Sequence, residues 1–359
     1  MTAPRTLVVR LDSAGDVILA GPALRAVAHG SSYTALLCGP QGAPAARLLP
    51  GVDDVLVYEA PWVGLEPAPV ANGPWLDLIA SVSRGRFDRA LILVSYHQSP
   101  LPAALLLKLA GVGWTAADCE DYPGALLDLR HHRRPDRHEA QAALDLAEDA
   151  GYALPQGDDG ALRVGEPPDC THLTGRDPYV VLHPGAAVTA RAWSPARAAR
   201  ACAALDTAGY RVVVTGGPAE RALTAEVAGR HALDLGGVTG DLRHLAGVLA
   251  GADAVLVGNT GPAHLAAAVG TPVACLFSPV VPAERWRPYG VPHVLLGDQS
   301  APCRGSRARH CPVRGHPCLD DIRDAEVLAA VARLGGRPAR RTGSAGAQDS
   351  SEMERGATV

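Results

Sequence analysis

The chain reads as an α/β protein of two doubly wound halves, each a parallel sheet covered by helices. Short β-branched apolar runs alternate with longer Ala/Leu-rich segments up to Ala110, and the same alternation starts again at Tyr179. Between the two series lies a Pro/Gly/Asp-rich stretch from about Leu154 to Pro178, with Pro155, Gly157, Asp158, Asp159, Gly160, Pro167 and Pro168, which reads as a linker. The length of 359 residues suits two domains of ordinary size.

In the first half, Thr6–Leu11 is the first strand and Asp16–His29 the helix that follows. Tyr33–Cys38, Val55–Tyr58 and Arg89–Ser95 are further strands, and Pro102–Ala110 is a helix. In the second half, Tyr179–His183 is a strand, Pro195–Ala208 a helix, Arg211–Thr215 a strand and Pro218–Arg230 a helix. Ala254–Val257 and Pro272–Phe277 are strands separated by the helix Pro262–Val269, and Asp324–Leu334 is the last helix. The expected domains are 1–165 and 176–334. From Gly335 to Val359 the chain is rich in Gly, Ser, Arg and Glu and reads as a disordered tail.

Apolar residues make up 47% of the chain and charged residues 19%, enough for a core and against wholesale disorder. The net charge of -4 gives no general electrostatic reason to bind nucleic acid. Lys108 is the only lysine, so a phosphate-binding cation is expected to be Arg. No apolar run is long enough to span a bilayer, and Met1 to Arg5 carries no signal-peptide pattern. The expectation is a cytoplasmic protein, associated at most peripherally with the inner face of the plasma membrane.

Ligands of doubly wound sheets bind beyond the carboxyl ends of the strands, where loops lead into helices. The first such loop is Arg10-Leu11-Asp12-Ser13-Ala14-Gly15-Asp16-Val17, in which Gly15 allows a tight turn. One reading makes Asp12, Ser13 or Asp16 a helix cap; the other places here a general base on the N-terminal side of a cleft. The second loop runs from His183-Pro184-Gly185 through Ala186, Ala187 and Arg191 to Trp193-Ser194-Pro195. Gly185 permits close approach of a ligand, Arg191 offers a cation to phosphate, and Ser194 caps the helix that Pro195 begins. The third is Thr215-Gly216-Gly217-Pro218-Ala219-Glu220. Glu220 there either accepts hydrogen bonds from a nucleoside or simply completes an acidic first turn.

The fourth loop is Val257-Gly258-Asn259-Thr260-Gly261-Pro262-Ala263-His264, a strand running into a helix start. The amides near Thr260 and Gly261 would face an anion, and His264 lies within the first turn. Three such loops in one half are best explained by a nucleoside-diphosphate site. The chain has no Walker phosphate loop, no Gly-x-Gly-x-x-Gly after the first strand, no Gly-x-Ser-x-Gly elbow and no Asp-x-Asp pair.

With these motifs in this order, the chain resembles the family 9 glycosyltransferases, which include the ADP-heptose heptosyltransferases of lipopolysaccharide core synthesis. The likeness runs from about Thr6 to Ile322. It rests on the first loop followed by Gly21-Pro22-Ala23-Leu24-Arg25, on His183-Pro184-Gly185 with Arg191 and Trp193, and on Gly216-Gly217-Pro218-Ala219-Glu220. The segment Asn259-Thr260-Gly261-Pro262-Ala263-His264-Leu265-Ala266-Ala267-Ala268 is its most specific part, and Trp286-Arg287-Pro288-Tyr289-Gly290 is also typical.

The resemblance implies a GT-B fold, two Rossmann-like domains facing a cleft, and an inverting, metal-independent transfer of a sugar, heptose from ADP-heptose. The acceptor would be a hydroxyl of a glycan, a lipid-linked saccharide or a small molecule. No cofactor is expected beyond the nucleotide-sugar co-substrate. Asp16 would be the catalytic base, with Ser13 and Gly15 on the acceptor-side loop. Ala186, Ala187, Arg191, Glu220, Asn259, Thr260, Gly261 and His264 would hold the donor. Where the family usually has Asp, this chain has Asn259, which hydrogen-bonds without charge. Two alternatives on the same fold are a non-catalytic sugar-nucleotide-binding protein and a sugar-nucleotide epimerase.

Cys303, Cys311 and Cys318, with His310 and His316, lack the close Cys-x-x-Cys spacing of structural zinc sites, so packing or a local redox pair is preferred. The run from Arg130 to His138 reads as a solvated loop rather than an acceptor-side or membrane-surface patch.

Overall fold

The computed structural model describes residues 2–64, 69–95 and 97–338. The first half contains β1 (Arg5–Arg10), β2 (Tyr33–Cys38), β3 (Asp54–Val57), β4 (Arg89–Ile92), β5 (Trp114–Asp118) and β6 (Leu129–His131). The second contains β7 (Val180–His183), β8 (Val212–Gly216), β9 (Ala232–Gly236), β10 (Ala254–Gly258), β11 (Val273–Leu276) and β12 (His293–Leu296). Each set forms one six-stranded sheet, in the orders β3-β2-β1-β4-β5-β6 and β12-β11-β10-β7-β8-β9. All pairings are parallel. Strand order reverses beside the first strand of each sheet, so the loops after β1 and β7 and those after β4 and β10 open at switch points.

The central strands are buried on both faces and are almost wholly apolar, as in Val180-Val181-Leu182 and Ala254-Val255-Leu256-Val257. The expected helix Asp16–His29 is two helices, Ala14–Leu19 and Gly21–His29, because Pro22 cannot continue the hydrogen-bond ladder of the first and instead starts the second. Likewise Pro218–Glu220 is a tight turn ahead of the helix Arg221–Ala228. Strands β5, β6, β9 and β12 were not expected: β6 has only three residues, and three of the five residues of β9 are Gly or Leu flanking Asp234.

The stretch between the halves is pinned at several points. Asp158 forms a two-pronged pair with Arg25 (2.6 and 2.9 Å), Gly165 donates to the Leu48 carbonyl, and Gly290 lies against Ala161 with φ +79°. A second tie runs from His138, just before the helix Glu139–Asp149, to the segment Arg287–Tyr289. The Ala140 N–H donates to Nδ1 of His138, so Nε2 carries the proton and donates to the Arg287 carbonyl at 2.9 Å. The same ring stacks on Tyr289 at 4.6 Å. Arg337, at the start of the expected tail, pairs with Asp253. Beyond residue 338 that tail lies outside the described residues.

Candidate active site

β1 ends in Arg10, whose side chain is 2% exposed. A guanidinium so deeply buried is costly unless charge and hydrogen bonds surround it. Its Nε lies 3.0 Å from Asp12, and one terminal nitrogen lies 3.2 Å from Asp16, 2.9 Å from the Ser95 hydroxyl and 3.7 Å from Glu139. Asp12 turns toward Ser95 and Gln98 in the loop after β4. Ser13 occupies the N-cap position of the helix Ala14–Leu19 but makes no side-chain cap bond; its hydroxyl donates to Asp16 at 2.7 Å. None of the three residues therefore serves as a side-chain cap, and Asp16 is held on both oxygens with its carboxylate partly accessible.

Burial opposes charge on Asp16. Arg10 first, then the Ser13 hydroxyl and Arg191, more than offset that cost and hold the carboxyl below the usual carboxylate range. It is therefore ionised at neutral pH. On Asp12 and Glu139, which share Arg10, the same burial prevails over the attraction of the guanidinium groups and the carboxyls are pushed up.

The second half supplies His264 and Arg191. The helix Gly261–Ala268 starts at Thr260, whose hydroxyl makes no cap bond, and its first turn packs against the loop after β1. A Cβ placed on Gly15 would lie 3.1 Å from the Gly261 Cα and 3.1 Å from the His264 ring. Glycine at position 15 lets the two segments meet. His264 is buried, and burial lowers it to about 4 despite the opposing pull of Asp16, with Arg191 reinforcing the fall. Its ring is neutral at pH 7. Burial also lowers Arg191, which faces Asp16 and Arg307. The Nδ1 of His264 and the Nε of Arg191 are buried without a protein partner.

Asn259 is 4% exposed. Its Oδ1 accepts the Ser278 N–H at 3.3 Å, and its Nδ2 is buried without a partner. The loops after β7 and β8 meet beside it. Glu220 accepts the Gly217 N–H at 2.7 Å, and its carboxylate lies where a Cβ on Gly185 would stand, 1.8 Å from the built position. Glu220 thus closes its own turn, as the second expectation had it, and its carboxylate lies against the His183-Pro184-Gly185 loop. His183 is fixed by Thr215 at 2.9 Å. Ala186 is half-buried and Ala187 exposed on the same loop. Ser194 caps the following helix through the Arg197 N–H, as expected.

A cavity of about 280 Å³ opens beside Asp12 and Arg10, lined by Ser95, Gln98, Asp118, Arg133 and Arg285 among others. This narrows the reading of Arg130 to His138 as a solvated loop: His132, Arg134, Pro135 and Asp136 are exposed, but other members of the run turn inward. His131 and His138 are buried, Arg133 pairs with Asp118 and Glu139, and Arg137 pairs with Asp145. These members turn inward because β5 and the helix Glu139–Asp149 present carboxylates to them. Arg10, Ser95, Gln98, Arg133 and Glu139 were not singled out from sequence as site residues. Arg10 was the readable one: a charge ending an apolar strand has to be paired.

All eight cysteines are free thiols, and Cys303 and Cys318 are buried. Cys311 is satisfied by the Val313 carbonyl at 3.3 Å. Among the described residues no three His, Cys, Asp or Glu side chains are grouped to hold a metal ion, and no helix is long and apolar enough to cross a membrane.

Two parallel six-stranded sheets whose switch-point loops meet around a carboxylate, an arginine and a helix start make this a glycosyltransferase of GT-B architecture. The sequence pattern of glycosyltransferase family 9 (heptosyltransferase) matches residues 75–315, and the chain belongs to that family. Lipopolysaccharide heptosyltransferase 1 of Pseudomonas aeruginosa is 29% identical, over 90% of this chain and 93% of its own length. The Escherichia coli ADP-heptose lipopolysaccharide heptosyltransferase II superposes with a TM-score of 0.70 at 20% identity, covering 92% of this chain and 98% of its own. The E. coli heptosyltransferase WaaC, solved with ADP-2-deoxy-2-fluoro heptose, gives 0.67 at 18% identity, covering 92% and 99%.

Proposed function

We propose that this glycosyltransferase moves a heptose from an ADP-heptose donor to a hydroxyl of a glycan, a lipid-linked saccharide or a small molecule, with inversion and without a metal ion. The observation that carries the reading is the ionised Asp16 carboxylate facing Arg191, His264 and the start of the helix Gly261–Ala268. The ADP-heptose assignment is supported by the E. coli heptosyltransferase II, whose name carries that donor, and by WaaC, solved with ADP-2-deoxy-2-fluoro heptose.

The acceptor occupies the cavity lined by Ser95, Gln98 and Arg133. Asp16 takes the hydroxyl proton as the oxygen attacks the anomeric carbon. The bond from that carbon to the diphosphate breaks, and its electron pair leaves with the nucleoside diphosphate. Arg191, the N-terminal amides of the helix Gly261–Ala268 and the neutral His264 ring stabilise the departing charge. Ala186, Ala187 and Glu220 line the nucleoside end, and Thr260, Gly261 and Asn259 face the diphosphate and sugar. Catalysis takes place on the cytoplasmic side, with at most peripheral contact with the membrane.

A thermal-shift panel of ADP-, GDP-, UDP- and dTDP-sugars tests the donor. Selective stabilisation by ADP-heptose supports the reading, whereas selective stabilisation by a UDP- or GDP-sugar overturns it. Product analysis with donor and acceptor separates transfer from silent binding and from epimerisation.

A further inference from the structure

Asp16 does not stand alone; its geometry is set by a buried guanidinium that reaches four oxygen-bearing side chains. Arg10 is the last residue of β1, held in register with Cys38 on β2. Its position is fixed by the sheet, and its head by Asp12 at 3.0 Å, Ser95 at 2.9 Å, Asp16 at 3.2 Å and Glu139 at 3.7 Å. Glu139 is itself 1% exposed and tied to Arg133, which lines the cavity. This rigid planar cation holds one Asp16 oxygen while the Ser13 hydroxyl holds the other. Each carboxylate oxygen keeps a further lone pair, which can accept a proton.

We propose that Arg10 is the positioning residue of the reaction: it aims the Asp16 carboxylate at the acceptor hydroxyl, and the chain Arg133–Glu139–Arg10 ties that aim to the wall of the acceptor cavity. The inference rests on the reading of Asp16 as the base. It differs from a packing role because Arg10 also supplies the largest attraction that keeps Asp16 charged. The other charged or titratable groups facing this pair are Asp12 on the same loop, His97 after β4, Glu139, and Arg191 and His264 from the second half.

The test is the pH profile of kcat/KM for the full chain with ADP-heptose and an acceptor that the wild type uses. Arg10→Gln removes the charge while keeping a hydrogen-bonding group. Its acid limb should move up by about one unit or more, so that at a pH low on that limb its activity, relative to its own alkaline plateau, falls about tenfold further than that of the wild type. Arg10→Lys, which keeps the charge but loses the planar fork, should return the limb toward the wild-type position with incomplete recovery of kcat. Ser95→Ala removes only the hydroxyl that aligns the guanidinium. It should shift the limb in the same direction by less, and it carries the test if Arg10→Gln does not fold. Retained ADP-induced thermal stabilisation identifies folded variants.

Equal loss of activity at every pH in Arg10→Gln, or an unmoved limb in both Arg10→Gln and Ser95→Ala, overturns the proposal. Asp16→Asn separates this from the underlying reading. If that variant stays fully active the base assignment fails, whereas an inactive Asp16→Asn beside an unmoved Arg10→Gln limb leaves the base standing and removes the role of Arg10.

Discussion

Gly15 and Gly261 touch across the two halves of the molecule: a side chain begun on Gly15 would stand 3.1 Å from the Gly261 Cα. One glycine leads into Asp16 and the other opens the helix that carries His264, so their contact brings Asp16 close to the first turn of that helix. The reverse substitution is less confined, since a Cβ on Gly261 meets its nearest atom at 3.6 Å, an ordinary contact.

This asymmetry gives a first prediction. Gly15→Val should force the loops apart and lower kcat/KM by about tenfold or more, since small misplacements of reacting groups are expensive. Gly261→Ala should keep most of the activity. Steady-state kinetics on the two variants, with thermal melts as a folding control, checks the order; equal tolerance at both positions would contradict it.

Arg191 gives a second prediction. Its Nε has no protein partner, so Arg191→Ala breaks no native hydrogen bond at that atom. The melting temperature should change little, while kcat falls by about 10²–10³, the range for removing one preorganised donor to a developing negative charge. Arg191→Lys should recover part of the loss. A variant that melts much earlier but turns over normally would place Arg191 in the scaffold instead.

The third prediction concerns pH and stability. His264 and His138 are both held near 4 by burial, below the unfolded value of about 6.5. Stability tied to their neutral rings is present above pH 6.5 and is lost as pH falls toward 4, by at most about 3 kcal/mol for each ring. The melting temperature should therefore drop between pH 6.5 and 4.5. His138→Asn can still cap Ala140 and does not titrate, so its curve should be flatter over that window. A wild-type curve that is flat from pH 7 to 4.5 would contradict the neutral assignment.

The architecture was readable because central strands of a parallel sheet are continuous apolar runs, as in Val212-Val213-Val214, and because ligand loops must follow such strands. That logic reached Asp16, Arg191, Thr260, Gly261 and His264 one loop at a time. It could not show that Asp16 and His264 face each other, since that proximity is a product of how the halves pack. Nor could it find Glu139, which lies far along the chain and meets Arg10 only because β1 and the helix Glu139–Asp149 are neighbours in space. The run from Arg130 to His138 was read only in part for the same reason: its exposed middle was legible, its inward-facing members were not. Charge density suggests solvent, and only the tertiary structure supplies Asp118, Glu139 and Asp145 as partners. The break at Gly21-Pro22 was readable from proline chemistry alone.

The central claim is that Asp16 is the base of a transfer reaction. Its most direct test is single-turnover transfer by Asp16→Asn from ADP-heptose, with ADP affinity measured in parallel. The account predicts a rate at least about 10²-fold below wild type, within the usual range for a positioned general base, and an ADP affinity left nearly unchanged. Transfer at the wild-type rate by that variant would contradict it.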